Sequence, residues 1–350
     1  MAAKQRRARK STLLAASASP RSRRLVVALA AVLVSLVLGG CDNGRSRVVK
    51  PPRAEHVTET EAPPAPEPLD PAARVALTWT GCDISKKAYM VDAANAYRNA
   101  TGIEISITGG GATRGIRATA GGSSDIGGTC RQCLPARFPS KEGGIVLTHV
   151  AWDALVFFTH ADNSVRSITR EEAQNILLGK ITNWSELGGD DARILPVFRR
   201  QTVRGKVSGV GYMTRRMLFG EPEIDYTRDA IFYRSSGPIE KFVEKTPYSF
   251  AVTGVSSARK RNVRILELDG VPPTASAIAA GRYALFRPLY LATRGEPQGA
   301  AKDFIDWLLG DAGQDVMRAA GTVSLDEGRE LGALFAHWPS TADGCVVWNR

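Results

Sequence analysis

From residue 75 to about 320 the chain repeats one unit: a short β-rich run, a turn of glycine and small polar residues, then a stretch with helical spacing. Residues 75–80 (VALTWT) end in Gly81-Cys82-Asp83-Ile84-Ser85. Residues 86–99 follow, with Ala88, Val91, Ala94 and Tyr97 on roughly one helical face. Gly102 closes that helix, 103–108 (IEISIT) alternates as a strand, Gly109-Gly110-Gly111 turns, and Thr113 opens a helix to Ala120. The pattern predicts further strands at 125–128, 146–150, 154–159, 194–198, 248–253 and 264–268. Helices are expected near 167–178, where Thr169 and Glu172 form a capping box, and at 211–218, 300–309 and 313–320. This alternation restricts the chain to an α/β sheet with its loops at the strand ends. A length of 350 residues suits two lobes of roughly 100–200 residues each.

The 74 residues before this body read as an address and a tether. The formal net charge is +11, but residues 1–40 carry eight basic residues and no acidic one, which leaves 38 basic against 35 acidic residues in the rest. A body so near neutrality carries no electrostatic footprint for nucleic acid. Residues 25–38 are an uncharged apolar run of 14, short for a spanning helix, which needs about 20. The run fits the apolar core of an export signal. Leu38-Gly39-Gly40-Cys41 resembles a lipobox, in which Cys41 receives diacylglycerol, and Arg23-Arg24 resembles part of a twin-arginine signal. Asp42 resembles an inner-membrane retention signal, so a lipid-anchored protein on the periplasmic side of the envelope is expected, held at the inner membrane. Residues 42–74 contain seven prolines among charged and small residues and form an extended tether.

With Cys41 set aside, Cys82, Cys130, Cys133 and Cys345 remain, an even number that favours disulfides in an exported chain, with three pairings open. Cys130-Arg-Gln-Cys133 has redox-motif spacing, and a thiol–disulfide protein using Cys130 and Cys133 is a competing expectation. The four histidines are scattered, and no Ser/His/Asp constellation or metal-ligand cluster stands out, so neither enzymatic activity nor a metal or cofactor is expected.

Three turns share one chemistry: 81–85, 109–113 and 208–209. Each offers glycine backbone that a ligand can approach, a hydroxyl, and a following helix whose free N–H groups favour anions. One helix end contributes only about 0.3–1 kcal/mol, so several must converge with an arginine. Arg199, Arg200 and Arg204 stand beside the third turn, and guanidinium forks suit tetrahedral oxyanions.

Residues 179–184 (GKITNW), 281–290 (GRYALFRPLY) and 304–321 (FIDWLLGDAGQDVMRAAG) resemble stretches of the periplasmic phosphate-binding proteins of phosphate ABC importers. The resemblance covers about 75–325. It implies a two-lobed, type II-like periplasmic-binding-protein fold with a hinge and an interlobe cleft. Lobe 1 would be about 75–155 plus 255–340 and lobe 2 about 160–250, with 1–40 a signal peptide, 41–74 the tether and 341–350 a tail. It implies a monomer that captures phosphate or a similar oxyanion and docks on the importer's membrane permease. Carried over position by position, the ligand donors would be Ser85, with Lys86 beside it, Thr113, Thr129, Arg131, Ser208, Gly209 and either Arg200 or Arg204. Cys130 falls where the family has a proton-accepting aspartate, which would remove one filter against sulfate. A disulfide between Cys82 and Cys130, both in site loops, would brace or occlude the cleft. A relative that has lost transport and acts as a sensor or envelope interaction protein is the alternative.

Overall fold

The computed structural model describes residues 75–200, 202–203, 205–336 and 346–348, with side chains for 77–200 and 205–335. The expected signal peptide, Cys41, tether and Cys345 lie outside the described residues. Strand β1 (Val75–Gly81) leads through a π-helical stretch, Lys86–Met90, into α1 (Val91–Thr101), so the helix expected over 86–99 is wound wider in its first turn. Then come β2 (Glu104–Thr108), α2 (Ala112–Ala120), β3 (Ile126–Thr129) and β4 (Ile145–His160). Helix α3 (Arg170–Leu178) starts at the expected capping box of Thr169 and Glu172. The chain continues through β5 (Leu195–Arg199), α4 (Gly209–Phe219), β6 (Ile231–Tyr233), α5 (Ser236–Val243), β7 (Ser249–Gly254) and β8 (Val263–Ile265). It ends with β9 (Phe286–Arg294), α6 (Gly299–Leu309), α7 (Asp311–Ala319) and β10 (Val346–Trp348).

These ten strands form one sheet in the order β2-β1-β3-β9-β4-β7-β5-β6, with β8 and β10 also pairing with β4. Strands β1, β2 and β3 run parallel, as do β7, β5 and β6. The 16-residue β4 joins the two sets. Residues 145–154 pair antiparallel with β9, and 155–159 pair with β7. The sequence predicts two strands here, at 146–150 and 154–159, and Asp153 falls in the gap between them. The structure runs straight through, since Asp153 is registered opposite Arg287 of β9 and bonded to it at 3.1 Å, both side chains fully buried. The buried charge in that gap is thus neutralised from 134 residues away.

The core is continuous across the sheet and includes Trp79, Phe157, Phe250 and Phe304. Packing explains the Gly127-Gly128 of β3: a Cβ on Gly128 would lie 2.0 Å from the Trp79 indole, and one on Gly127 would lie 2.6 Å from Thr119 Oγ1. Tyr97 of α1 meets Phe304 and Trp307 of α6 edge-on, at 5.1 and 5.2 Å between ring centres, which ties the C-terminal helices to the first half of the sheet.

His149 of β4 packs edge-on against Trp152 at 4.3 Å, and its Nε2 lies 3.0 Å from the Ala151 carbonyl. Burial pushes this imidazole down to about 4. The unfolded chain takes up this proton below about pH 6.5, the folded one only near 4, so stability is expected to fall as pH drops across that window. Urea unfolding at pH 7 and pH 5 checks this: His149→Gln should lose less stability between the two than the parent, and equal losses would remove His149 as the cause.

Candidate functional site

The carboxyl ends of β1 and β3 in one half of the sheet face the end of β5 and the start of α4 in the other. Loops at the carboxyl ends of parallel strands are where open α/β sheets bind ligands. Each loop has a local cause. After β1, Cys82 caps a helical turn: its Sγ accepts from the Ser85 N–H at 3.3 Å and contacts Ser85 Oγ at 2.9 Å. Before α4, Ser208 caps the helix by accepting from the Gly211 N–H at 3.1 Å. A hydroxyl that caps in this way still has its own proton to donate, and the first N–H groups of α4 have no carbonyl behind them.

Between these loops lies a small inner chamber of about 10 Å³, room for roughly one water-sized sphere. Cys82, Asp83, Cys130, Arg199, Ser208 and Gly209 line it. It adjoins an outer chamber of about 250 Å³; Gly111, Arg199 and Ser208 belong to both walls.

The arginine at the inner chamber is Arg199, the last residue of β5, not Arg200. Strand alternation turns Arg199 inward, 9% exposed, and Arg200 outward over the Phe232 ring at the outer chamber. Arg204 lies outside the described residues. Arg199 Nη1 reaches Ser236 Oγ at a long 3.5 Å, and its buried Nε has no hydrogen-bond partner. Burial pushes its guanidinium below the usual value, while Cys130 and Asp83 pull it back. Asp83 and Arg199 are site residues that position-by-position carry-over missed; the signal for Arg199 was the inward phase of its strand.

Several expected donors are engaged elsewhere. The Thr113 hydroxyl donates to the Val207 carbonyl at 2.7 Å and accepts from the Val207 N–H and from Arg131 Nη2, which uses its full capacity. Thr129 is buried, and its hydroxyl donates to the Arg131 carbonyl. Arg131 is fully buried and held by both carboxylate oxygens of Glu142 at 3.0 Å, so its charge is neutralised within the protein. Although burial pushes the Glu142 carboxyl up, Arg131 holds it below its ordinary value. Ser85 sits one layer behind Cys82, and neither it nor Lys86 lines either chamber. Ser208, Gly209 and Cys130 do line the inner chamber, as expected.

The cysteines differ from expectation. Cys82 and Cys130 are both free thiols, so neither the disulfide between them nor any of the three four-cysteine pairings forms. Cys133 is disulfide-bonded while Cys130 is not, so the two do not pair with each other either. A hydrogen bond from Cys82 brings the Cys130 thiol down to about 6 against the opposing effect of burial, with help from the charges of Arg287 and Arg131. Burial and the neighbouring Cys130 push Cys82 well up. The two thiols of the inner chamber are thus driven in opposite directions, and Cys130 is the one favoured as a thiolate. Among the described residues no group of three or more His, Cys, Asp or Glu side chains could hold a metal ion.

Gly209 is one of the places where the two halves of the sheet approach closely. A Cβ there would lie 2.6 Å from Cys130 Sγ and 3.1 Å from Ala112 Cβ. Gly209→Ala is expected to hold α4 away from the Cys130 loop and to weaken anion binding by about tenfold, on the scale of one core overpacking of 1–3 kcal/mol. Calorimetry checks it; unchanged affinity would mean that the ligand-bound cleft is wider than this one.

A sheet whose two halves share a crossing strand, with a helix start and three strand-end loops converging between them, defines a two-lobed α/β binding protein with its site in the cleft. The PBP superfamily domain matches residues 75–312, and the chain belongs to that superfamily. It is 28% identical over 236 residues to the phosphate-binding protein PstS of Bacillus subtilis, covering 66% of this chain and 74% of that protein. It is also 28% identical over 189 residues to the Borreliella burgdorferi protein of the same name, covering 53% and 67%. A structure described as a phosphate ABC transporter substrate-binding protein with bound phosphate, from Clostridium perfringens, superposes with a TM-score of 0.64 at 25% identity, covering 71% of this chain and 98% of that one. An ABC-type phosphate transport receptor from Vibrio cholerae shares the fold at a TM-score of 0.55 and 24% identity, covering 71% and 99%.

Proposed function

We propose that this protein captures phosphate or a similar tetrahedral oxyanion outside the cytoplasm, for an ABC importer whose permease it docks on, and performs no chemistry on it. The observation that carries this is the convergence of Arg199, Ser208 and the start of α4 on one enclosed chamber. A fork of N–H donors, a hydroxyl proton and free backbone N–H groups are what an oxyanion's oxygens accept from. The phosphate-binding names of the relatives support the same ligand. Anchoring through a lipid on Cys41, with 42–74 as the leash and the body at the inner membrane, completes the proposal.

Cys130 bears on selectivity. A thiolate at the chamber wall accepts a hydrogen bond from an anion that still carries a proton, as phosphate does near neutral pH and sulfate does not. Calorimetric titration of the reduced protein at pH 8 tests the whole. Phosphate should bind at micromolar affinity or better, which takes about 8 kcal/mol, and sulfate at least about 100-fold more weakly. Absence of binding by any oxyanion would overturn the proposal and favour the sensor or interaction role. Cys130→Ala is expected to shrink the phosphate-to-sulfate ratio by about tenfold or more, the worth of one charge-assisted hydrogen bond.

A further inference from the structure

The outer chamber is larger than a single tetrahedral anion needs and carries more charge than one can offset. Its wall brings together Arg114, Arg199, Arg200, Lys206 and Arg234, with no acidic residue. Two other concavities mix both signs: one of about 470 Å³, which shares Arg200 with the outer chamber, sets Arg137, Arg215 and Arg228 against Glu223 and Asp225, and one of about 710 Å³ sets Arg170 and Lys180 against Glu171 and Asp269. The outer chamber differs from these two in having no acidic residue on its wall, and an acid, Asp83, lines the adjoining inner chamber. None of its five cations makes an ion pair among the described residues. Arg114 donates to the Gly109 carbonyl at 3.1 Å, Arg200 lies over Phe232, and Arg199 reaches only Ser236.

Of the five, Arg199 faces opposing charge from Cys130 and Asp83 in the adjoining inner chamber. Clustering the remaining like charges costs stability, and a chain that keeps such a cluster in a concave site has an anion to gain from it. The inner and outer chambers meet at Gly111, Arg199 and Ser208, so one ligand can touch both. The inner one alone has room for about one oxygen-sized atom, whereas the outer one, at about 250 Å³, is several times the ~30 Å³ share of a liquid water.

We infer that the ligand of this cleft carries a second anionic group, with one phosphoryl oxygen seated in the inner chamber and a second phosphoryl group among the five cations of the outer chamber. Pyrophosphate is the simplest such anion. The inference rests on the oxyanion-capture proposal above and narrows its ligand class. Arg199 and Ser208, shared by both walls, bind the first phosphoryl group. Arg114, on α2, and Arg234, just after β6, approach the chamber from opposite halves of the sheet and hold the second. Two-point binding would also draw the halves together, since Arg114 and Arg234 share the second phosphoryl group from opposite sides of the cleft.

The test is calorimetric titration of the reduced, full-length protein with phosphate, pyrophosphate, glycerol 3-phosphate and sulfate in chelator-treated, metal-free buffer at pH 7.5. Pyrophosphate is expected to bind at least about tenfold more tightly than phosphate, since a second charge-assisted contact is worth 1.5–3 kcal/mol. In the double variant Arg114→Gln/Arg234→Gln, pyrophosphate should lose at least about tenfold more affinity than phosphate does. Phosphate bound as tightly as pyrophosphate, or equal losses for both ligands in the double variant, would overturn the inference while leaving oxyanion capture standing. Glycerol 3-phosphate bound as well as pyrophosphate would also overturn it, by showing that the outer chamber accepts bulk rather than charge. No binding by any of the four would overturn the underlying proposal instead.

Discussion

Replacing Arg287 by methionine is expected to destabilise the protein by about 3–5 kcal/mol, the usual cost of removing one partner from a buried ion pair. Arg287 Nη2 lies 3.1 Å from Asp153 Oδ2, and both side chains are fully buried. The other carboxylate oxygen accepts from the N–H and hydroxyl of Ser256, so both oxygens have partners within the protein. Methionine would leave that charge without a cation at the centre of β4, the strand that both halves of the sheet share. Arg287→Met/Asp153→Leu should recover most of the loss, because the cost lies in the orphaned charge rather than in the pair itself. A second consequence reaches the cleft. Arg287 Nε and Nη1 have no hydrogen-bond partner, and the Arg287 charge is one of the causes that hold Cys130 low. In Arg287→Met the Cys130 thiol should therefore titrate higher, toward the ordinary value of about 8.5. Equilibrium urea unfolding reads the first effect, and thiolate absorbance followed against pH reads the second. A stability loss under about 1 kcal/mol, the range of an exposed pair, would mean that water reaches Asp153 and that the crossing strand is not held this way.

The architecture was legible because alternation and turn chemistry are local. Gly102, the Thr169–Glu172 box and the apolar phase of 300–309 each stand where the structure has a helix boundary or a buried face. What the sequence hid was decided by partners distant along the chain. The expected strands at 146–150 and 154–159 join into one because Arg287 is placed opposite Asp153 in the gap. Arg131 reads as a free positive charge for an anion until Glu142 is folded under it. Thr113 reads as a ligand hydroxyl until the Val207 backbone, 94 residues on, takes both its proton and a lone pair. The cysteines show the same limit: an even count in an exported chain favours bridges, yet Cys82 and Cys130 stay as thiols facing one cleft. The three turns singled out in the sequence and matched by the family resemblance each contribute residues to the inner chamber. The resemblance missed which side chain of the Arg199-Arg200 pair faces inward, because an alignment carries position along the chain and not the phase of the strand.

That last point yields the largest effect expected on binding. Arg199→Gln should weaken oxyanion affinity by about 2–5 kcal/mol, or ~30- to 4,000-fold, as for truncation of one partner in a desolvated charge pair. Arg199 is only 9% exposed, so an anion beside it meets little screening, and its fork is pre-shaped for a tetrahedral face. Glutamine keeps a donor and much of the length but removes the charge. Arg199→Lys is expected to recover only part of the affinity, since an ammonium restores the charge without the planar fork. The ligand-free protein should not suffer: Arg199 makes only the long 3.5 Å contact to Ser236, and burial already disfavours its charge, so Arg199→Gln should leave the unfolding midpoint unchanged or slightly raised. This separation of affinity from stability distinguishes a binding arginine from a structural one. The neighbour supplies the internal comparison. Arg200 sits outside the inner chamber over Phe232, and Arg200→Gln should cost inorganic phosphate at least about tenfold less than Arg199→Gln does. Calorimetry with phosphate on the two single variants decides it. Equal losses would mean that the ligand sits in the outer chamber alone, and a greater loss at Arg200 would return the binding role to the residue after the strand.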